Sequence, residues 1–234
     1  MQKACGWEDS EKQQTGQFKI QGQKSRRLHK DESSLTIAAT GGCSRMAAGL
    51  AEVLQKNYME SPVGDNYFQS IVLITDRDEV DTENAFIQEI TDVLKKKNII
   101  LKGTIANNQW AICEMRTQAG DSIQMQLLIM VIPFEESGAM ETFLLKAISD
   151  QDDYDKKIIE DCNNFIDSTD AERRYLRGRR RITKAKFDAY FCVRTAAEQF
   201  NQRRDIIKNI PLENYDTIKN DFKRLKTIAD IKVL

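Results

Sequence analysis

The sequence predicts an α/β fold with a helical C-terminal extension, and three observations carry that prediction. Apolar, strand-like runs alternate with segments of helical periodicity from about residue 35 to residue 133. The strongest run, "SIQMQLLIMVIP" at 122–133, is apolar through most of its second half, and a strand of that kind needs cover on both faces. From residue 138 onward helical patterns dominate. A chain of 234 residues suits one such domain and is long enough to bury a sizeable core.

Residues 1–34 read as an irregular segment. "MQKACG" resembles the last turns of a helix stopped by Gly6, as if a first strand–helix unit were truncated, and one short alternating piece surrounds Phe18 and Ile20. Leu35–Ala39 is a short strand broken by Gly41 and Gly42. A helix follows, with Met46, Leu50, Val53 and Leu54 on one face, and then a turn cluster, "SPVGDN", at 61–66. The stretch "SIVLITDRDE" at 70–79 carries a buried strand into two acids. A helix at 81–97 has the stripe Phe86, Ile90, Val93 and Leu94, with Asn98 and Gly103 beyond it. Strands are expected at 99–101, 109–116 and 122–133, the last closed by Pro133. Helices are expected at 139–149, 155–166 and 184–201, with a tail interrupted at Pro211. The boundaries are therefore 1–34 for the irregular segment, 35–150 for the α/β domain, and 151–234 for helices packed on the same domain.

Composition narrows the chemistry. With 41% apolar residues, 30% charged residues and a formal charge of −1, the chain is neither disordered nor uniformly basic, so a nucleic-acid site has to be a local patch. Cys5, Cys43, Cys113, Cys162 and Cys192 form no Cys-x-x-Cys pair and read as reduced cytoplasmic thiols. His29 is the one histidine, which leaves no Cys/His zinc cage and no Ser-His or Cys-His dyad. No apolar run approaches the roughly 20 residues needed to span a bilayer, so a cytoplasmic location is the default.

Carboxylates are the chemistry that remains. In open α/β sheets ligands sit beyond the carboxyl ends of strands, where Asp76 and Asp78 lie. If the backbone stays extended, a period of two puts both side chains on one side, and that spacing suits one Mg²⁺ or Mn²⁺ completed by a phosphate. The plain structural alternative is that Asp76 caps the following helix and Asp78 is solvated. Gly41 and Gly42 ahead of a helix suit either a phosphate approach at the helix N-terminus or a simple tight turn. Glu135, Glu136 and Glu141 near the same edge are candidates for outer metal ligands or water-orienting groups, while Glu141 alone also fits favourable placement in a helix N-terminal field. Arg173, Arg174, Arg177, Arg179, Arg180 and Arg181, with Tyr175 among them, form the densest basic stretch. It reads either as a phosphate track or as a face neutralised by the preceding acids. Phe187, Tyr190, Phe191, Phe200, Trp7 and Trp110 read as packing residues.

The order of strand, Gly41-Gly42, helix, strand ending in Asp76-Arg77-Asp78, helix, and later strand leading into "SGAME" resembles the Toprim fold, and in particular the small Toprim-like proteins related to OLD-family nucleases. The resemblance covers roughly residues 35–150. It implies a Toprim-like, mostly parallel sheet flanked by helices, Mg²⁺ or Mn²⁺ on Asp76 and Asp78, Glu141 as a further catalytic acid, and phosphodiester hydrolysis or another phosphoryl transfer on nucleic acid. The family also places an acid-bearing strand before the glycines, and no strand ending in Glu precedes Gly41 here. Two expectations follow: the natural start lies upstream of Met1, or this copy has lost its first acid and with it catalysis. The rival is a non-catalytic module that binds a nucleotide, nucleic acid or a protein partner, with a homo-oligomer left open. A receiver-like phosphoacceptor fits less well, because "VIPFEE" offers no partnering lysine.

Overall fold

The computed structural model describes residues 8, 9, 19–59, 67–195, 208–226 and 228. The expectations for the 1–6 helix tail, Cys5, Trp7, Phe18, the 61–66 turn and Phe200 lie outside the described residues. Two compact units emerge, one of Met1–Thr75, Val80–Phe134 and Arg224–Leu234, the other of Asp76–Glu79 and Glu135–Lys223.

The first unit begins with an antiparallel sheet where irregular chain was expected. β3 (Gln23–Lys30) pairs with β1 (Glu8–Asp9), β2 (Lys19–Ile20) and β4 (Ser33–Ala38). Gln21 and Gly22, both at positive φ (52° and 71°), make the two-residue hairpin between β2 and β3. Strand β3 is polar nearly throughout and buries Leu28, so its sequence lacks the alternation that marks a strand.

α1 (Met46–Met59) buries Leu50, Val53 and Leu54 of the predicted face, with Ala47 buried in addition and Met46 half-buried against the same core. At Gly49 a Cβ would lie 3.0 Å from methyls of both Ile20 and Thr40, so glycine is what lets the helix approach so closely. Asn57, fully buried, clasps the entry to the next strand, accepting from Phe68 N–H at 2.8 Å and donating to its carbonyl at 3.0 Å.

The second sheet has the order β5 (Ser70–Asp76), β8 (Ser122–Ile132), β7 (Trp110–Arg116), β6 (Ile100–Lys102). It is mixed, and its β6–β7–β8 flank is an antiparallel meander where the resemblance implied mostly parallel pairing. The reason is connection length: five residues join β7 to β8, and a parallel crossover needs a dozen or more. β8 is buried at every position from Leu127 to Ile132, as its unbroken apolar run required. α2 (Thr82–Lys96) contributes Phe86, Ile90 and Leu94 to the same core. It ends where Asn98 turns left-handed at φ 54° and Ile99 N–H bonds back to Leu94 O at 2.9 Å.

The second unit is helical. α3 (Met140–Gln151), α4 (Asp153–Thr169) and α5 (Arg179–Thr195) pack around Leu145, Ile148, Ile159, Tyr190 and Phe191. Asp152 alone separates α3 from α4, and its carboxylate caps α4 by accepting from Tyr154 N–H at 2.8 Å and Asp155 N–H at 3.1 Å. A 3₁₀ turn (Leu212–Asn214) and the short helix α6 (Asp216–Asp221) follow Pro211, while α7 (Lys223–Lys226) lies, after its first residue, in the last segment of the first unit. No helix among the described residues is long and apolar enough to cross a membrane.

Candidate functional site

The site forms in the second unit, where Asp76–Glu79 meets the start of α3 and the start of α5. α3 begins with a weakness: its N-cap is Ala139, which has no acceptor for the orphan N–H groups of a first turn. Asp76 supplies one from 64 residues away, its Oδ1 accepting from Met140 N–H at 3.0 Å. The carbonyl of Arg77 takes Gly138 N–H at 2.7 Å, so the chain leaving β5 is fastened to the turn before α3 by two bonds. Asp76 therefore does cap a helix, but α3 rather than α2, the helix that follows it in sequence.

These contacts bring Asp76, Asp78 and Glu141 into one electrostatic neighbourhood. Burial of the Asp76 carboxyl pushes its pKa up, and Glu141 and Asp78 add to that; Met140 N–H and Lys184 pull the other way without cancelling it. Glu141 goes in the opposite direction. Burial works to raise it, yet the hydrogen bond from Lys184 Nζ at 2.6 Å, with help from the charges of Lys184 and Arg180, holds it below the ordinary carboxylate range. Arg179 donates through Nη1 to the Asp78 carbonyl and lies 3.7 Å from Glu79. The first turns of α5 thus bring Lys184 to Asp76 and Glu141, Arg180 to Glu141, and Arg179 to the Asp78 carbonyl and Glu79.

The other predicted residues distribute unevenly. Glu135 and Glu136 lie in the field of Lys146, whose ammonium is held above its usual range first by its hydrogen bond to Asp150. Gly41 and Gly42 belong to the first unit, at φ 85° and 134°, in a turn closed by Arg45 N–H to Gly42 O at 3.2 Å. The arginine stretch divides between a loop and the first turn of α5. Asp170 organises the loop: its carboxylate accepts from the N–H groups of Arg174, Tyr175 and Leu176 at 3.0, 2.8 and 2.7 Å. Arg174 lies over the Tyr175 ring, Arg177 Nε donates to Arg174 O, and Arg181 donates to Tyr175 O. Lys184 follows the arginine run by three residues. Spacing within the run carries no sign of a carboxylate partner 43 residues earlier.

Among the described residues no three His, Cys, Asp or Glu side chains stand close enough to cage a metal ion by themselves. The donors are nonetheless hard oxygens of the kind that hold Mg²⁺ through one or two carboxylates, with substrate phosphate completing the shell.

A family model described as "Protein of unknown function (DUF3226)" matches residues 12–226 of the chain. No curated protein and no solved structure matches it.

Proposed function

From the premise that the chain belongs to the DUF3226 family of proteins of unknown function, we propose that the Asp76 site is a Toprim-like centre for Mg²⁺- or Mn²⁺-dependent phosphodiester hydrolysis on nucleic acid. The observation that supports it is the meeting of Asp76, Asp78 and Glu141 with Arg179, Arg180 and Lys184 in one place. An acidic pair to hold a divalent cation beside basic groups to hold the phosphate is what phosphoryl chemistry asks of a protein.

In this reading Asp76 Oδ2 and the Asp78 carboxylate would hold the cation, which would supply charge neutralisation at the phosphate and a more acidic water. Met140 N–H fixes the Asp76 carboxyl by engaging its other oxygen. Arg180 and Lys184 draw the phosphate toward the acids. Glu141, ionised and oriented by Lys184, would take at Oε2 the proton of the attacking water as that water's oxygen bonds to phosphorus and the ester oxygen leaves, to be protonated by solvent.

Thermal melts of the full chain test the centre. Saturating Mg²⁺ or Mn²⁺ is expected to raise the melting temperature, by roughly 2–4 °C for each kcal/mol of binding linkage, and the rise is lost in Asp76→Asn and Asp78→Asn. A parent chain indifferent to both ions sinks the metal site. Cleavage of a labelled single strand or duplex, dependent on the same ions and lost in the same variants, is the expected activity.

A second reading is favoured by one observation: Asp76 is already committed to α3, and Glu141 to Lys184. A metal-stabilised chain that binds a labelled strand without cleaving it would identify a non-catalytic nucleic-acid or nucleotide module.

A further inference from the structure

The acids do not exhaust the second unit. Between α3, α4 and the start of α5 lies an open cleft of about 760 Å³, within the size range of small-molecule sites. Its charge is lopsided: Lys146, Arg173, Arg179 and Lys186 line it against Glu136 and Glu160. Three of these cations are engaged, Lys146 with Asp150, Lys186 with Asp167 and Arg179 with Glu79. Arg173 has no ion-pair partner among the described residues.

The position of Arg173 is built rather than incidental. Its backbone is left-handed at φ 54°, and its N–H donates to Asp170 O at 2.9 Å. The next three N–H groups are taken by the Asp170 carboxylate. One side chain thereby fixes the backbone that carries Arg173 to the cleft wall, and its carboxylate also feels the Arg173 charge without forming a close ion pair with it.

The remaining wall defines the body of a ligand. Leu145, Ile159 and Ile182 give an apolar patch, and Thr142, Ser149 and Thr183 bring hydroxyls. No aromatic ring lines the cleft among the described residues, so a nucleobase has nothing to stack on. Asn163 also lines it, and its Oδ1 is shut off from water with no hydrogen-bond donor. Such an atom is costly until a donor arrives, and it belongs to a residue of the cleft wall. A lining that combines an arginine outside any close ion pair, hydroxyl groups and an unfilled acceptor suits a phosphorylated sugar.

We propose that this cleft binds a phosphorylated ribose-type group, its phosphate on Arg173 and its hydroxyls against Thr183 and Asn163. The group has two sources, a free sugar phosphate or the 5′-phosphate end of a nucleotide. The proposal goes beyond the metal-dependent centre and needs no metal.

Isothermal titration of the full chain in EDTA, with ribose 5-phosphate, ribose, inorganic phosphate and adenosine 5′-monophosphate, tests it. Ribose 5-phosphate is expected to bind saturably, about tenfold or more tighter than ribose or phosphate alone. Arg173→Ala weakens it by about tenfold or more, the scale of a lost charge-assisted hydrogen bond. Asp76→Asn leaves it unchanged, which separates failure here from failure of the metal site. Thr183→Val, on the helix rather than the loop, weakens binding without disturbing the Asp170 turn. Binding of the monophosphate as tight as that of ribose 5-phosphate supports a nucleotide end; binding of ribose 5-phosphate alone supports a free sugar phosphate. The proposal is overturned by no saturable binding of either, by phosphate binding as tightly as ribose 5-phosphate, by unchanged binding in a folded Arg173→Ala chain, or by loss of binding in Asp76→Asn.

Discussion

Asp76 carries two roles that substitution can separate. Its oxygen caps α3 while its charge sits among like charges and partial burial that disfavour it. Asp76→Ala removes the acceptor from Met140 N–H and is expected to cost about 1 kcal/mol, the usual value of a lost N-cap. Asp76→Asn keeps an acceptor and removes the repulsion with Asp78 and Glu141, so in EDTA it should be as stable as the parent or more so. Urea unfolding at neutral pH reads both, and an Asn variant as unstable as the Ala variant would show that charge rather than the acceptor holds α3. Of this site, Asp76, Asp78 and Glu141 were legible as acids at an element's end. The partners were not, because Met140 and Lys184 reach them only through the fold, and a cap offered across 64 residues leaves no local pattern.

At the scale of elements, legibility followed burial. α1, α2 and β8 bury long or periodic apolar faces, and the sequence marked all three. β4 was expected at Leu35–Ala39 and runs over Ser33–Ala38, whereas β3 presents mostly Lys, Arg and Ser, so its place is fixed by two tight turns and ladder bonds, which hydrophobic periodicity cannot reveal. The β6–β7–β8 meander was readable in principle, since the link from β7 to β8 is too short for a parallel return. The Asp170 loop is the element whose cause is most concentrated. Asp170→Ala leaves three N–H groups without their acceptor, and limited trypsin digestion should then cut at Arg173, Arg174 or Arg177 well before it cuts the parent. Protection equal to the parent's would mean that the arginine side chains hold the loop instead. The same bonds, Leu176 N–H first among them, hold the Asp170 carboxyl below its ordinary value of 3.8. A depressed carboxylate pKa contributes order that is complete above that value and is lost as pH falls through the folded one. The amide resonances of Arg174, Tyr175 and Leu176 should therefore hold constant at neutral pH and move together only below about 3.8.

Across the whole molecule, 35 basic residues face 36 acidic ones, so no net field draws a polyanion to the chain. The proposed nucleic-acid binding then rests on the local arginines, whose present contacts differ. Arg174, Arg177, Arg179 and Arg181 are each engaged, with Tyr175, Arg174 O, Asp78 O and Tyr175 O respectively. The side chains of Arg173 and Arg180 make no hydrogen bond or close ion pair among the described residues, and act at longer range on the carboxylates of Asp170 and Glu141. Each phosphate neutralised on duplex DNA contributes about −0.9 to the slope of log affinity against log salt. Fluorescence anisotropy with a labelled duplex should accordingly give a slope near −2, steepening toward about −5 only if all six arginines leave their present partners. Saturating ribose 5-phosphate, by occupying Arg173, is expected to make the slope shallower by about one contact. A slope that ignores the sugar phosphate would place the duplex on Arg180 and its neighbours alone, away from the cleft.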